Sequence, residues 1–271
     1  MTAAELRAAY HQQVRGVLPA RRPESMRVDR DGPLLRVTGG KHYGWVDYRD
    51  LAGLTGPALD ELIERTCQFY ASHGEAFEWK THSYDEPADL PDRLRSAGFV
   101  AGEAETVVIG PAEQLTEEPE LPTDVRIRRV SDQGDFDRIG ALQTEIWNSD
   151  WRWLADDLAE RQAADPDDLA IFVAEAGPRL VSAAWLIRSP GTDFATLWGG
   201  ATLADWRGKG IYRALVARRA QYATQVGNRY LQVDASADSA PILQRLGFVA
   251  VATTTPYLWT PAKGQGSARL P

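Results

Sequence analysis

The chain has 271 residues, 44% hydrophobic and 25% charged, with a net charge of −8. That make-up suits a globular protein of one large or two small domains, and the acidic balance argues against a nucleic-acid-binding surface as its main business. A single cysteine, Cys67, excludes an intrachain disulfide and fits a reducing cytoplasm, and no apolar run approaches the ~18 residues of a membrane span.

Residues 1–7 lack the apolar core of a signal peptide and read as the first turns of a polar helix. The four histidines, His11, His42, His73 and His82, lie with Cys67 in the first third of the chain. None pairs with another at metal-ligand spacing, so no metal is expected. A helix is expected over 57–72, closed by Gly74, and a strand over 77–80. Residues 111–123 carry three prolines and four glutamates with little apolar surface, the composition of a linker.

After the linker the pattern becomes regular. Residues 125–130 alternate apolar and basic, a half-buried strand. Ser131 or Asp132 can cap a helix that runs to Trp147, with Phe136, Ile139, Leu142 and Ile146 on one face. A short helix is expected over 151–164. Two strands, 169–175 and 180–187, flank a turn at Gly177-Pro178, a hairpin signal. A strand over 194–203 leads to Arg207-Gly208-Lys209-Gly210-Ile211-Tyr212. A helix over 211–225 follows, with Ile211, Leu215, Val216, Ala220 and Ala223 apolar. Then come a strand over 230–235, a short helix over 239–246, a strand pair from 247 to 259, and a disordered tail over 261–271.

A glycine turn ahead of a helix points backbone N–H groups at one spot, where the helix dipole also favours negative charge. Arg207 and Lys209 add cations, so the turn suits a pyrophosphate. An ordinary tight turn has the same spelling. The element order, with Arg-Gly-x-Gly between a strand and a helix and Leu246-Gly247-Phe248 downstream, resembles the GNAT superfamily of acyl-CoA N-acyltransferases over residues 124–260. The loop follows the family pattern [Gln/Arg]-x-x-Gly-x-[Gly/Ala] except at its last position, Tyr212. Residues 89–100 echo 239–249, each after a short strand. The chain therefore reads as α/β (α+β), with two GNAT-like domains of mixed, mostly antiparallel sheet flanked by helices. The first, 1–110, is a degenerate half. Its counterpart loop, 50–56, has neither the arginine nor a close glycine pair.

The resemblance implies acetyl-CoA, or another acyl-CoA, as cosubstrate. Pantetheine would pair with the backbone of Gly200, Ala201 and Thr202. The loop from Arg207 through Gly208, Lys209, Gly210, Ile211 and Tyr212 to Arg213 would hold the pyrophosphate. Ser236 stands where the family often has a cofactor-side asparagine, and Leu243 where it often has the tyrosine that protonates the leaving thiolate. Tyr212, Tyr257 and Asp234 are the candidate replacements for acid and base work. Glu145, Trp147, Asp150 and Trp151 sit at a helix corner that reads either as an aromatic and acidic pocket for an amine or as core packing. A small-molecule amine acceptor, with the protein a monomer or homodimer, is the first reading. A non-catalytic acyl-CoA-binding module is the second.

Overall fold

A computed structural model of the chain describes residues 1–19 and 21–261. In chain order its elements are α1 (Ala3–Gln13), β1 (Arg27–Asp31), β2 (Leu34–Thr38), β3 (Gly44–Asp47), α2 (Gly56–His73), β4 (Phe77–His82), α3 (Leu90–Ser96), β5 (Val100–Ala101) and β6 (Glu105–Pro111). They continue with a 3-10 turn (Ala112–Leu115), β7 (Val125–Val130), α4 (Gln133–Trp147), α5 (Trp153–Ala164), β8 (Leu169–Ala176), β9 (Arg179–Arg188), β10 (Phe194–Thr202), α6 (Ile211–Gln225), β11 (Tyr230–Ala235), α7 (Ala240–Arg245) and β12 (Val249–Trp259). The expected tail, 261–271, lies outside the described residues save for Pro261.

The chain forms two compact units. One comprises Met1–Val14, Leu18–Glu24 and Thr106–Val251; the other comprises Arg15–Val17, Ser25–Glu105 and Ala252 onward. The first unit's strands run β7-β8-β9-β10-β11-β6, antiparallel except for the β10–β11 pair. The periodic apolar residues of α4 explain why it lies on this sheet: Phe136, Ile139 and Leu142 pack with Leu154 and Leu158 of α5 against Ile171, Val173, Val181 and Trp185. Asp132 caps α4 by accepting from the Asp135 amide at 3.0 Å. A second cluster joins Val216, Ala220 and Ala223 of α6 and Leu243 of α7 to Leu186, Leu197, Leu231 and Val108. The hydrogen-bonding capping box of Thr2 and Glu5 starts α1, whose Gln13 side chain donates to Asp193 at 3.0 Å.

The second unit repeats this plan on a smaller scale. β1, β2 and β3 form an antiparallel meander, β3 pairs parallel with β4 across α2, and β12 pairs antiparallel with β4. Its core holds Leu59, Leu62, Ile63 and Tyr70 of α2 against Leu34, Val46, Phe77, Trp79 and Tyr257.

Three expectations change here. Residues 247–259 give one long strand rather than a pair, and its outer part, Thr254 to Trp259, pairs with β4. The boundary between compact units does not fall at 111–123, because Thr106 to Pro111 pair with Ala235 to Tyr230 of β11. Nor is 111–123 an unattached linker. Ala112 and Leu115 are buried in the cluster beneath α6. Arg218 of α6 bonds Glu118 at 3.0 Å, and Gln221 donates to the Thr116 carbonyl and the Glu118 carboxylate. One of the acidic residues that looked solvating, Glu118, serves to strap this segment to the helix. Leu115→Ala should therefore lower the unfolding free energy by about 2–4 kcal/mol, the cost of an apolar truncation in a core. Chemical denaturation measures it, and a shift below about 0.5 kcal/mol would restore the linker reading.

Candidate functional site

The site is built around the parallel pair β10 and β11. Their register covers Phe194↔Tyr230, Ala195↔Leu231 and Thr196↔Gln232 and goes no further. Past Thr196 the two strands no longer share a ladder, while β11 continues paired with β6 as far as Ala235. Gly200, Ala201 and Thr202 lie in the open part of β10. On its other side, β10 breaks register with β9 between Trp198 and Ala201. Two glycines occupy that break, and both are required by what surrounds them. Gly199 has φ +64°, and a Cβ there would come within 1.9 Å of the Trp185 ring. A Cβ on Gly200 would come within 2.8 Å of the Tyr212 ring and 3.8 Å of Arg219 Nη2. The bulge is held from both sides: Gln143 Nε2 donates to the Gly199 carbonyl at 3.0 Å, and Arg219 Nη1 approaches the Trp198 carbonyl at 3.4 Å.

At the end of β10 the Arg207 Nε donates to the Thr202 carbonyl at 3.1 Å, which folds the chain into the glycine turn. Gly208 and Gly210 adopt φ of +75° and +80°, conformations that side chains with a Cβ resist. The first helical bond of α6 runs from the Ala214 amide to the Gly210 carbonyl, 2.9 Å. The amides of Ile211, Tyr212 and Arg213 thus have no acceptor within the helix and can bond an anion. Arg207, Gly208, Lys209 and Arg213 are exposed, and Ile211 is buried. Lys209 Nζ sits 4.5 Å from the centre of the Trp206 ring.

The acid and base candidates part company. Tyr212 lies against Gly200, mostly buried. Burial raises its phenol above the ordinary range, while the Arg219 cation and the Ser239 hydroxyl act in the opposite direction. Asp234, on β11 beyond the last parallel pair, accepts from Gln232 Nε2 at 2.8 Å. Ser236 is exposed, bonded to Ser239 at the start of α7. Leu243 is fully buried core. Tyr257 does not join the site. It lies in the second unit's core, where its hydroxyl accepts from Arg95 Nη2 at 3.1 Å, because the strand that carries it crosses from one unit to the other.

The helix corner is also sorted by helical geometry. Gln143 and Trp147 are one turn apart on α4, and the Trp147 indole donates to Gln143 Oε1 at 2.7 Å. Trp147 remains 56% exposed. Glu145 falls between them in sequence, hence on another side of the helix, and pairs with Arg179 at 2.9 Å. Asp150 is exposed and bound by Arg152 at 2.7 Å. Trp151 packs partly on the first core cluster, in the turn before α5 rather than inside it. The expected acidic pocket is therefore replaced by arginine pairs at both carboxylates. Trp198, on β10, is 50% exposed. Sequence reasoning missed Gln143 and Arg219. Each is a polar residue on an otherwise apolar helical stripe, and that mismatch is the signal that could have found them.

The second unit has the matching point where β3 and β4 part, past Val46↔Trp79. There Tyr48 donates its hydroxyl to Asp85 at 2.6 Å and reaches the Lys80 carbonyl at 3.2 Å. Arg15 bonds Asp85 at 2.6 Å, and the Gly16 amide donates to Asp47. Side chains of the unit thus reach the Lys80 carbonyl and the Gly16 amide at this point.

The bulge yields a graded prediction. Gly199→Ala should cost about 3 kcal/mol or more, since it combines a left-handed φ with overlap on Trp185. Gly208→Ala, with nothing within 4 Å of its Cβ, should cost only about 1 kcal/mol. Equal losses in urea titrations would contradict this reading of the bulge.

Among the described residues no helix is long and apolar enough to cross a membrane, and no group of His, Cys, Asp or Glu forms a metal cluster. Residues 136–248 match the model of the Acetyltransferase (GNAT) family. A GCN5-related N-acetyltransferase from Kribbella flavida is 17% identical with a TM-score of 0.67, covering 96% of this chain and 96% of that one. A GCN5-related N-acetyltransferase from Sphaerobacter thermophilus is 14% identical, TM-score 0.60, over 86% of this chain and 82% of that one. A tandem GNAT protein from the clavulanic acid biosynthesis pathway is 12% identical, TM-score 0.60, over 89% and 85%. Against curated proteins the sequence has no significant match. Residues 136–248 thus carry the match to the GNAT family, and over most of its length the chain shares its fold with GCN5-related N-acetyltransferases, one of them a tandem GNAT protein.

Proposed function

We propose that the protein is an N-acyltransferase that moves an acetyl or other acyl group from acyl-CoA to the primary amine of a small molecule. The observation that carries this reading is the opening between β10 and β11 with the glycine turn at the end of β10. Pyrophosphate would take the amides of residues 208–213, with Arg207 and Lys209 screening its charge. Pantetheine would pair with the backbone of Gly200, Ala201 and Thr202, where β10 has left the ladder with β11. The thioester would then lie at the bulge, where a backbone amide polarises its carbonyl.

Transfer forms a C–N bond and breaks the C–S bond. The neutral amine attacks the thioester carbon, the nitrogen loses a proton to water or, through water, to Asp234, and the thiolate gains one. Tyr212 is the proton donor in this reading, because it packs on the bulge from the α6 side. The acceptor would enter beside the exposed rings of Trp147 and Trp198. A cationic amine favours aromatic faces, and the arginine-paired Glu145 and Asp150 contribute less than the sequence suggested.

The second reading, an acyl-CoA-binding module without turnover, draws on Leu243. That position is fully buried core and holds no acid. Incubation with acetyl-CoA and a panel of amines, with thiol release recorded, separates the two. Release with at least one amine supports transfer. Binding of CoA without release from any of them supports the binding module. Arg207→Glu and Gly210→Pro should each weaken CoA binding at least about tenfold by calorimetry. Unchanged affinity would refute the loop assignment. Tyr212→Phe should lower kcat by roughly a hundredfold. Tyr257→Phe, in the other unit's core, should leave kcat within about twofold of the unsubstituted protein. The reverse ranking would return the acid role to Tyr257.

A further inference from the structure

Arg219 is a fully buried cation without a carboxylate. Its residue exposure is 1%, and no Asp or Glu pairs with it among the described residues. Nε donates to the Leu215 carbonyl at 2.9 Å, and Nη1 is shared between the carbonyls of Trp185 and Trp198 at 3.3 and 3.4 Å. Nη2 stands 3.8 Å from where a Cβ of Gly200 would be. Burial draws the guanidinium down to about 10, a sign of how much this charge costs where it sits. Unpaired buried charges are expensive, and apolar residues of similar volume are often as stable or more so. Packing alone therefore does not account for an arginine here.

Its placement relative to the bulge does. Trp185 and Trp198 are the last cross-strand pair before the register break, so Arg219 grips both strands at its edge. The Trp198 carbonyl belongs to the same peptide unit as the Gly199 amide. The next peptide is held likewise from the opposite face of the sheet: its Gly199 carbonyl accepts from Gln143, itself 2% exposed, and its amide is that of Gly200. A hydrogen bond to a carbonyl polarises its peptide and strengthens the amide donor at the other end. Two successive peptides of the bulge are thus polarised in the same sense by two buried side chains.

We propose that Arg219 and Gln143 are positioning residues for acyl transfer: they fix the bulge and strengthen its Gly199 and Gly200 amides, which point to opposite sides, so that the one facing the cofactor is a strong donor to the thioester oxygen and to the oxyanion it becomes. The proposal rests on the acyltransferase reading above. Neither side chain touches the substrate; both act through the backbone, and Arg219 adds its charge. No co-reactant is needed beyond acyl-CoA and amine, because the residues return to their starting state after each turnover.

The test uses the full chain with [1-13C]acetyl-CoA. In isotope-edited infrared difference spectra, the bound thioester carbonyl should absorb at lower frequency than in free acetyl-CoA. Arg219→Met and Gln143→Leu should each move it back toward the free value. With an amine substrate, Arg219→Met should lower kcat about a hundredfold, the scale of removing one donor from an oxyanion site, with KM for acetyl-CoA within about threefold. Its melting temperature should be no lower than that of the unsubstituted protein, an outcome a merely structural arginine would not give. Arg219→Lys, which keeps the charge, should recover part of the loss. The inference is overturned if the unsubstituted protein binds acetyl-CoA with no carbonyl shift. It is equally overturned if Arg219→Met keeps kcat within about threefold. Should Arg219→Met fail to fold, Gln143→Leu and Arg219→Lys decide, and unsubstituted-level kcat and carbonyl frequency in both would overturn it. Absence of acetyl-CoA binding, or of thiol release with every amine, overturns the acyltransferase reading instead.

Discussion

Two consecutive positions of β10 cannot carry side chains, because the space on both faces of the sheet is already filled. Trp185 occupies the Cβ position of Gly199, and Tyr212 with Arg219 crowds that of Gly200. Without Cβ atoms, the strand can take a left-handed residue and break its register with β9. The break accompanies the loss of pairing with β11 after Thr196. That parting in turn takes the end of β10 out of its ladder with β11, close in sequence to the glycine turn and the start of α6. A bulge, an open strand edge and a helix terminus with spare amides are thus one local arrangement.

The two units treat the same topological feature in opposite ways. Each has a parallel pair joined across a helix, and each pair covers three residues before the strands part. Backbone groups at such a parting need partners. The second unit supplies them internally, with Tyr48 reaching the Lys80 carbonyl and Arg15 and Asp85 closing behind it. In the first unit, side chains reach the carbonyls of β10 from other elements: Gln143 to Gly199, Arg219 to Trp198, Ser182 to Ala201 and Arg207 to Thr202, with Tyr212 pressed on Gly200. One topology therefore leads to a buried tyrosine, arginine and aspartate cluster in one half and to a bulged strand beside the glycine turn in the other. This agrees with a single glycine turn in the sequence.

The elements from β7 onward were legible because their apolar periods are unbroken and their caps explicit. Asp132, Gly208, Gly210 and Gly227 stand where the physics of capping and positive φ puts them. The segment 111–123 misled because proline and glutamate composition signals solvation, whereas Arg218 and Gln221 lie a hundred residues away and turn Glu118 into an anchor. Composition is local; ion pairs of that separation are not. The exposure of Trp198 escapes a local reading for a related reason. Strand residues alternate faces, and a bulge one residue later shifts the rule where a side chain's exposure is decided. Glu145 was assigned by proximity in sequence to Trp147, when a helix places residues two apart on different sides.

The missing tyrosine of α7 bears on how the proposed reaction would end. Leu243 fills that position as core, so a proton for the thiolate must come from elsewhere or from water. Tyr212 reaches the start of α7 from the opposite direction, with the Ser239 hydroxyl beside its own. Its raised phenol stays protonated at neutral pH, the state a donor needs. Yet a phenol held above its ordinary range gives its proton only uphill to a thiolate, which is ordinarily the weaker base. A neighbouring cation reduces that climb, since it stabilises the phenolate left behind, and Arg219 is the charge acting on Tyr212 in that direction. In this reading the same buried guanidinium serves both ends of the step: it steadies negative charge on the thioester oxygen as the amine attacks, and on the phenol as the thiol departs.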